Sequence, residues 1–151
     1  MRIAFINSNR MQPPISPIGL EYVADAVHQQ GHQVQLLDLC WEDDIVEAVR
    51  RFFSEKKFDL VALTLRNSDD CSYLQPQEFI TPFSAVTQLI REYTDAPLLA
   101  GGAGFSTMAL PISQAASIDY GLLGDGEQAM LTLLRSLEHK LDLALVPGLI
   151  W

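Results

Sequence analysis

Short continuous apolar runs alternate along the chain with longer stretches in which apolar residues recur every three or four positions. The runs predict five buried strands, at residues 3–6, 34–37, 60–65, 97–100 and 120–123. The stripes predict helices after each strand, at residues 20–27, 45–53, 83–93, 109–116 and 130–137. The third run is almost wholly apolar, which is typical of a parallel strand covered by helices on both faces.

Five strand–helix units predict an α/β fold with right-handed crossovers. We expect a Rossmann-like, flavodoxin-like, doubly wound five-stranded parallel sheet with strand order 2-1-3-4-5. In such sheets, ligands bind beyond the carboxyl ends of the strands, near the point where the strand order reverses. This rule selects four loops at one edge, at residues 7–18, 66–78, 101–107 and 124–127.

Composition and charge limit the classes of partner. The 151 residues suit one domain, and the formal net charge of −9 argues against a nucleic-acid surface. Cys40 and Cys71 are too few and too far apart for a zinc or iron–sulfur site, so we expect free thiols. The amino-terminal apolar run is too short for a signal peptide or a membrane span, which predicts a cytoplasmic protein without a membrane partner.

The first loop lacks the motifs of several common ligands of this fold. No GxGxxG motif follows the first strand, which argues against a nicotinamide-dinucleotide site. The loop is also not rich in Ser and Thr, which argues against a site for the phosphate of a flavin. The acids of a phosphoacceptor domain are also missing. Asp38, which ends the second strand, is interpreted as a turn acceptor rather than a ribose ligand.

The other three loops offer small, amide-bearing and charged groups. Gly101 and Gly102 end the fourth strand, and Gly104 and Ser106 extend a patch without bulky side chains; a tight turn is the competing explanation. Arg66 and Asn67 follow the third strand and are interpreted as functional, whereas Asp69 and Asp70 fit Asx turns.

The fifth strand leads into Gly124, Asp125, Gly126 and Glu127, where a helix begins. Acids there are favoured by the helix dipole, while the glycines would let a ligand approach the amide groups. The histidines His28, His32 and His139 fall outside the four loops, so none is assigned a metal or catalytic role.

Taken in order, these segments resemble the N-terminal cobalamin-binding domain of cobalamin-dependent radical S-adenosylmethionine enzymes. The resemblance is carried by residues 13–24, 31–34 and 38, by Gly101, Gly102 and Ser106, and by residues 119–120, 124–127 and 146–150. It implies a module that holds cobalamin with the corrin over the strand ends and the nucleotide tail beside the sheet. The expected cofactor-binding residues are Asn7, Thr64, Arg66, Asn67, Gly101, Gly102, Gly104, Ser106, Gly124, Gly126 and Glu127.

The resemblance also implies particular roles and one departure. Thr64 would replace the family's strand-three serine, and Gly101 and Gly102 would pass under the tail. The DxHxxG motif that supplies a histidine to cobalt in some relatives is missing here. Cobalt without a histidine lower ligand is therefore expected, with Arg66 or Asn67 facing the lower side.

The family's CxxxCxxC motif, which holds a [4Fe-4S] cluster beside S-adenosylmethionine, is expected only in a following barrel. We therefore expect residues 1–145 to form the cobalamin-binding domain and residues 146–151 to begin the linker to that barrel. The chain would be an isolated domain of a longer radical methyltransferase and would not catalyse the reaction alone. Two alternatives stay open: a cofactor-free interaction module, and a nucleotide-utilising enzyme that binds phosphate through Arg66 and the amides at Gly126.

Overall fold

The computed structural model describes residues 1–54 and 56–151, which contain six strands, six α-helices and two short 3-10 helices. The strands are β1 (Arg2–Asn7), β2 (Gln33–Asp38), β3 (Leu60–Thr64), β4 (Leu98–Gly101), β5 (Tyr120–Leu122) and β6 (Leu149–Ile150). The helices are α1 (Ile18–Gln29), α2 (Ile45–Ser54), α3 (Ile80–Arg91), α4 (Ala103–Thr107), α5 (Ala109–Ala116) and α6 (Gly126–His139).

The strands form one sheet in the order β2-β1-β3-β4-β5-β6. The first five are parallel, so the predicted order 2-1-3-4-5 is confirmed. The sheet also has a sixth strand that the sequence did not predict: β6 runs antiparallel to β5, with Leu149 opposite Leu122. A two-residue strand is too short to show a hydrophobic period, so the apolar pattern alone does not predict it.

Hydrophobic layers cover both faces of the sheet, as the apolar third strand predicted. Ile6 and Leu63 face a layer that includes Phe83 of α3 and Ile112 of α5. Phe5 and Leu99 face the other layer, which includes residues of α1 and α6. Successive residues of a strand point to opposite faces, so each strand supplies side chains to both layers.

Two of the four selected loops have more structure than predicted. Residues 103–107 form the short helix α4, and Asp69 and Glu78 form an isolated antiparallel bridge within the loop after β3. Within the described residues, no helix combines the length and the apolar character needed to cross a membrane.

Candidate functional site

A cavity of about 420 Å³ opens at the carboxyl ends of β1, β3, β4 and β5, on the face of the sheet covered by α1 and α6. Its volume lies within the range of small-molecule sites. The cavity lies where the strand order predicts a ligand crevice. At that point the order reverses, since β2 lies on one side of β1 and β3 lies on the other.

The cavity has an apolar floor and a polar rim. The floor is made of buried side chains. Among the described residues of the floor, Thr64 alone has a polar side chain; the members are Phe5, Pro17, Leu20, Ala62, Thr64, Leu99, Leu122 and Met130. The rim carries Ser16, Arg66, Asp125 and Glu127. This arrangement suits an amphiphilic guest whose apolar part lies deep and whose polar part stays near water.

The structure brings only part of the predicted site to the cavity wall. The predicted residues that line it are Thr64, Arg66, Gly101, Gly102, Gly124, Gly126 and Glu127. The predicted residues that do not line it are Asn7, Asn67, Gly104 and Ser106.

Asn7 anchors the first loop at its root. Its side chain is 1% exposed, and Nδ2 donates to Asp38 Oδ1 at 2.7 Å. Its Oδ1 accepts from the backbone N–H of Asn9 at 3.1 Å. Asp38 also accepts from the backbone N–H of Cys40 at 3.0 Å, which confirms its interpretation as a turn acceptor. Asn7 therefore holds the loop and offers no free group to the cavity.

Gly104 and Ser106 have structural contacts. A Cβ on Gly104 would lie 2.4 Å from the backbone carbon of Asn67, so glycine is needed where α4 meets the loop after β3. Ser106 Oγ donates to the Gly102 carbonyl at 3.0 Å and accepts from the Gly124 N–H at 3.3 Å. The serine thereby joins the turn after β4 to the turn after β5.

Gly101 and Gly102 are adjacent in sequence but have different roles. Gly102 has φ +104°, and a Cβ there would lie 2.7 Å from both the Leu65 carbonyl oxygen and Thr64 Oγ1. Only glycine fits that turn. A Cβ on Gly101 would meet only the Leu122 carbonyl oxygen, at the ordinary contact distance of 3.7 Å. Gly101 is therefore free of backbone demands, and its missing side chain leaves space in the cavity.

The two glycines at the start of α6 also differ. A Cβ on Gly126 would lie 2.9 Å from Val23 Cγ2, so this glycine lets α6 approach α1 closely. Gly124 has φ +77° and open space around it. Asp125 precedes the helix, but its side chain makes no capping hydrogen bond. Asp125 and Glu127 therefore give the rim acidic groups.

Arg66 supplies a cation at the rim. Its carbonyl accepts from the Gly104 N–H at 2.9 Å, which fixes the backbone beside the cavity. Its guanidinium makes no hydrogen bond or ion pair in the part of the chain that the structure describes. Asn67 is different, since its Nδ2 lies 3.8 Å from Met11 Sδ. Arg66 is thus the group after β3 that is available to a ligand.

The predicted site residues leave out one wall and most of the floor. That wall consists of residues 15–18, which lead into α1 and belong to the first of the four selected loops, although none of them was named as a site residue. The proline-rich run ahead of the helix was their signal. The floor residues gave no comparable signal, because a buried Phe5 or Met130 looks in sequence like any core residue.

The loop after β3 contains the turn acceptors that were predicted. Asp69 Oδ1 accepts from the Cys71 N–H at 2.8 Å, and Asp70 Oδ1 accepts from the Ser72 N–H at 2.9 Å. The Asp69 carboxylate hydrogen-bonds the Cys71 thiol and repels its negative form, and both effects raise the pKa of Cys71. Both cysteines are free; Cys40 is buried and Cys71 is exposed.

Replacing Asp69 with asparagine is expected to speed alkylation of Cys71 by about threefold near pH ~8. The raised pKa of Cys71 keeps the thiolate fraction low at that pH, and the neutral amide removes the charge that raises it. Mass spectrometry after timed iodoacetamide treatment measures the rate. Cys40 is the internal control, since a buried thiol should stay unmodified in both proteins. Equal rates for Cys71 in the two proteins would contradict the role of Asp69.

Comparison with known proteins decides the family. A family profile described as the B12 binding domain matches residues 8–134, which is most of the chain. The chain belongs to the B12-binding domain family. The resemblance noted in the sequence is therefore confirmed, and cobalamin is the cofactor of this domain.

Two relatives of this B12-binding domain are methyltransferases, and the chain matches one part of each. The chain is 35% identical over 151 residues to tryptophan 2-C-methyltransferase of Streptomyces laurentii, covering 98% of the chain and 25% of that protein. It also matches the radical S-adenosylmethionine methyltransferase TsrM of Kitasatospora setae, solved with cobalamin and a [4Fe-4S] cluster bound. There the TM-score is 0.93 and the identity 33%, over 99% of this chain and 27% of TsrM. The chain spans about a quarter of the length of both relatives.

A more distant structure shares the fold alone. OxsB, a cobalamin-dependent S-adenosylmethionine radical enzyme solved with aqua-cobalamin and S-adenosylmethionine bound, matches with a TM-score of 0.77 and 13% identity. The match covers 98% of this chain and 20% of OxsB.

The cavity of this B12-binding domain fits cobalamin on chemical grounds. Cobalamin combines a broad corrin edged with polar amides, a charged phosphate and a flat apolar base. The apolar floor suits the base, while the polar rim beside Arg66 suits the phosphate and the amides. The missing side chain at Gly101 leaves the floor open to a flat group.

Proposed function

We propose that this B12-binding domain holds cobalamin for a radical S-adenosylmethionine methyltransferase. The nucleotide tail would occupy the cavity and the corrin would lie across the strand ends. The apolar cavity with a charged rim at the strand ends is the observation that carries the proposal. The similarity to two methyltransferases along nearly the whole chain supports the choice of reaction.

Three residues at the ends of β3 and β4 would hold the cofactor. Thr64 offers a hydroxyl inside the cavity, Gly101 leaves room for the tail, and Arg66 offers a cation near the phosphate or the lower side of cobalt. None of the three histidines lines the cavity among the described residues; His32 Nδ1 lies instead 3.2 Å from the Met1 amine. We favour Arg66 over Asn67 as the group that faces the lower cobalt side, because Arg66 lines the cavity and Asn67 does not.

The chemistry belongs to the bound cofactor, and the domain supplies orientation. Cobalamin contributes a cobalt centre that can carry a methyl group. Ser8 Oγ donates to the Thr64 carbonyl at 2.7 Å, and Ser106 bridges Gly102 and Gly124. These bonds hold the loops after β1, β4 and β5 in place before a ligand arrives, which reduces the ordering cost of binding.

The other components would come from a following domain. We propose that residues 146–151 lead toward it and that it holds S-adenosylmethionine and the [4Fe-4S] cluster. Free thiols at Cys40 and Cys71 agree with a cytoplasmic location. The net charge of −9 makes nucleic acid and anionic membranes poor partners.

Incubation with hydroxocobalamin followed by desalting tests the proposal. We expect visible corrin absorbance to elute with the chain at about one equivalent when both are micromolar. The same chain unfolded in urea is the control for nonspecific retention. Corrin-free protein after desalting would overturn the proposal. Nucleotide affinity without corrin affinity would instead favour the nucleotide-utilising enzyme.

A further inference from the structure

The floor of the cavity offers very few polar partners to the group that it receives. Phe5 and Met130 are fully buried, and Leu99 and Leu122 are nearly so. Thr64 is 9% exposed, lines the cavity, and its hydroxyl makes no hydrogen bond with another described residue. A group that reaches the floor therefore meets one side-chain hydroxyl, and every other side chain there is apolar.

Only one part of a cobamide matches such a floor. The corrin edge carries amides and the phosphate carries charge, so both would lose water without gaining partners there. The lower base at the end of the nucleotide tail is flat and can be apolar. If the tail enters the cavity, as the proposed function states, the floor receives the lower base.

Lower bases differ in their polar groups. Dimethylbenzimidazole presents one ring nitrogen as an acceptor and two methyl groups. Adenine presents an amino group and several ring nitrogens and has no methyl groups. One hydroxyl at Thr64 can satisfy the first base but leaves most polar atoms of the second without a partner.

We propose that this cavity selects cobamides with an apolar benzimidazole lower base against cobamides with adenine; the inference rests on the proposed function. Burying each methyl group contributes about a fourfold gain in affinity, so two methyl groups give about fifteenfold. The unpaired amino group of adenine adds to the difference. We expect affinity for the benzimidazole form to exceed that for the adenine form by at least about tenfold.

Equilibrium titration of the unmodified chain with three dicyano-corrinoids tests the selection, because cyanide at both axial positions of cobalt leaves the lower base free to enter the cavity. They are dicyanocobalamin, its analogue with adenine as lower base, and dicyanocobinamide, which has no nucleotide tail. We expect dicyanocobalamin to bind at least about tenfold more tightly than either of the others. Equal affinity for the first two, or tighter binding of the adenine form, would overturn the inference and leave the proposed function standing. Absence of binding by all three would overturn the proposed function itself.

Two variants of Met130 test whether the floor makes the selection. Met130→Gln places an amide on the floor where adenine lacks partners, and Met130→Leu is the matched apolar control. We expect the glutamine variant to reduce the affinity ratio at least about threefold and the leucine variant to keep it within about twofold. A ratio unchanged in a folded Met130→Gln protein would contradict selection by the floor. If that variant does not fold, the corrinoid titration of the unmodified chain still decides.

Discussion

Replacing Gly101 with leucine is expected to lower cobalamin affinity about 100-fold while the chain stays folded. A Cβ at Gly101 meets only the Leu122 carbonyl oxygen, at 3.7 Å, so the backbone tolerates a side chain. Gly101 lines the cavity beside Leu99, and a leucine would occupy the space that the proposed tail needs. The loss corresponds to the burial of one large apolar group, about 3 kcal/mol.

Titration with hydroxocobalamin measures the affinity, and circular dichroism checks the fold. Ala85→Leu is the matched control, because it adds similar bulk at an exposed position of α3, on the opposite face of the sheet. We expect this control to bind as the unmodified chain does. Unchanged affinity in a folded Gly101→Leu protein would place the tail outside this cavity.

Replacing Gly102 with alanine is expected to destabilise the fold by about 3 kcal/mol. Two costs combine. The backbone conformation at φ +104° is unfavourable for any residue with a Cβ, and that Cβ would lie 2.7 Å from the Leu65 carbonyl oxygen and from Thr64 Oγ1. Because the oxygen of Leu65 belongs to the backbone, relief requires movement of the loop after β3.

Urea unfolding followed by circular dichroism measures the change in free energy. Gly31→Ala separates the two costs, since Gly31 also has a positive φ, +85°, but has nothing within 4 Å of an added Cβ. We expect a loss of about 1 kcal/mol there. Equal losses at the two positions would show that the close contact at Gly102 contributes nothing.

The contrast between Gly101 and Gly102 shows which features of the site can be predicted from the sequence. Adjacent glycines predicted an open shelf, and both do line the cavity. Their division of roles depends on backbone dihedrals and on distances to Leu65 and Thr64, which a sequence does not contain. A bulky residue at position 102 would therefore disturb the fold, and Gly101 is the position at which a substitution can probe ligand binding.

The predicted polar site residues were also placed correctly in general terms but not in their contacts. Asn7, Asn67 and Ser106 lie at the predicted edge of the sheet, so their general placement was correct. Two of them already have hydrogen-bond partners: Asn7 bonds to Asp38, and Ser106 bonds to Gly102 and Gly124. The amide of Asn67 faces Met11 Sδ. The type of a residue determines which hydrogen bonds its side chain can form. The fold determines which of those bonds are already formed with neighbouring residues and are not available to a ligand.

The strand order was easier to predict than the site. Five apolar runs that alternate with helical segments are compatible with few sheet topologies. Neighbouring parallel strands must be joined by long, right-handed crossover connections, which limits the possible strand orders. Strand β6 escaped prediction because its pairing depends on Gly148, whose φ of +67° and close approach to Leu123 turn the chain back toward β5.

The cavity is cut into one of the two hydrophobic layers and leaves the other complete. The layer of α2, α3 and α5 is built from the protein's own side chains, whereas the layer of α1 and α6 keeps room beside Phe5 and Met130. A nucleotide tail bound in that space would pack against the interior of the protein. The same contacts would then stabilise both the bound tail and the packing of α1 and α6. Loss of the bound tail would thus remove contacts from α1 and α6, whereas the contacts between the sheet and the layer of α2, α3 and α5 would be unchanged.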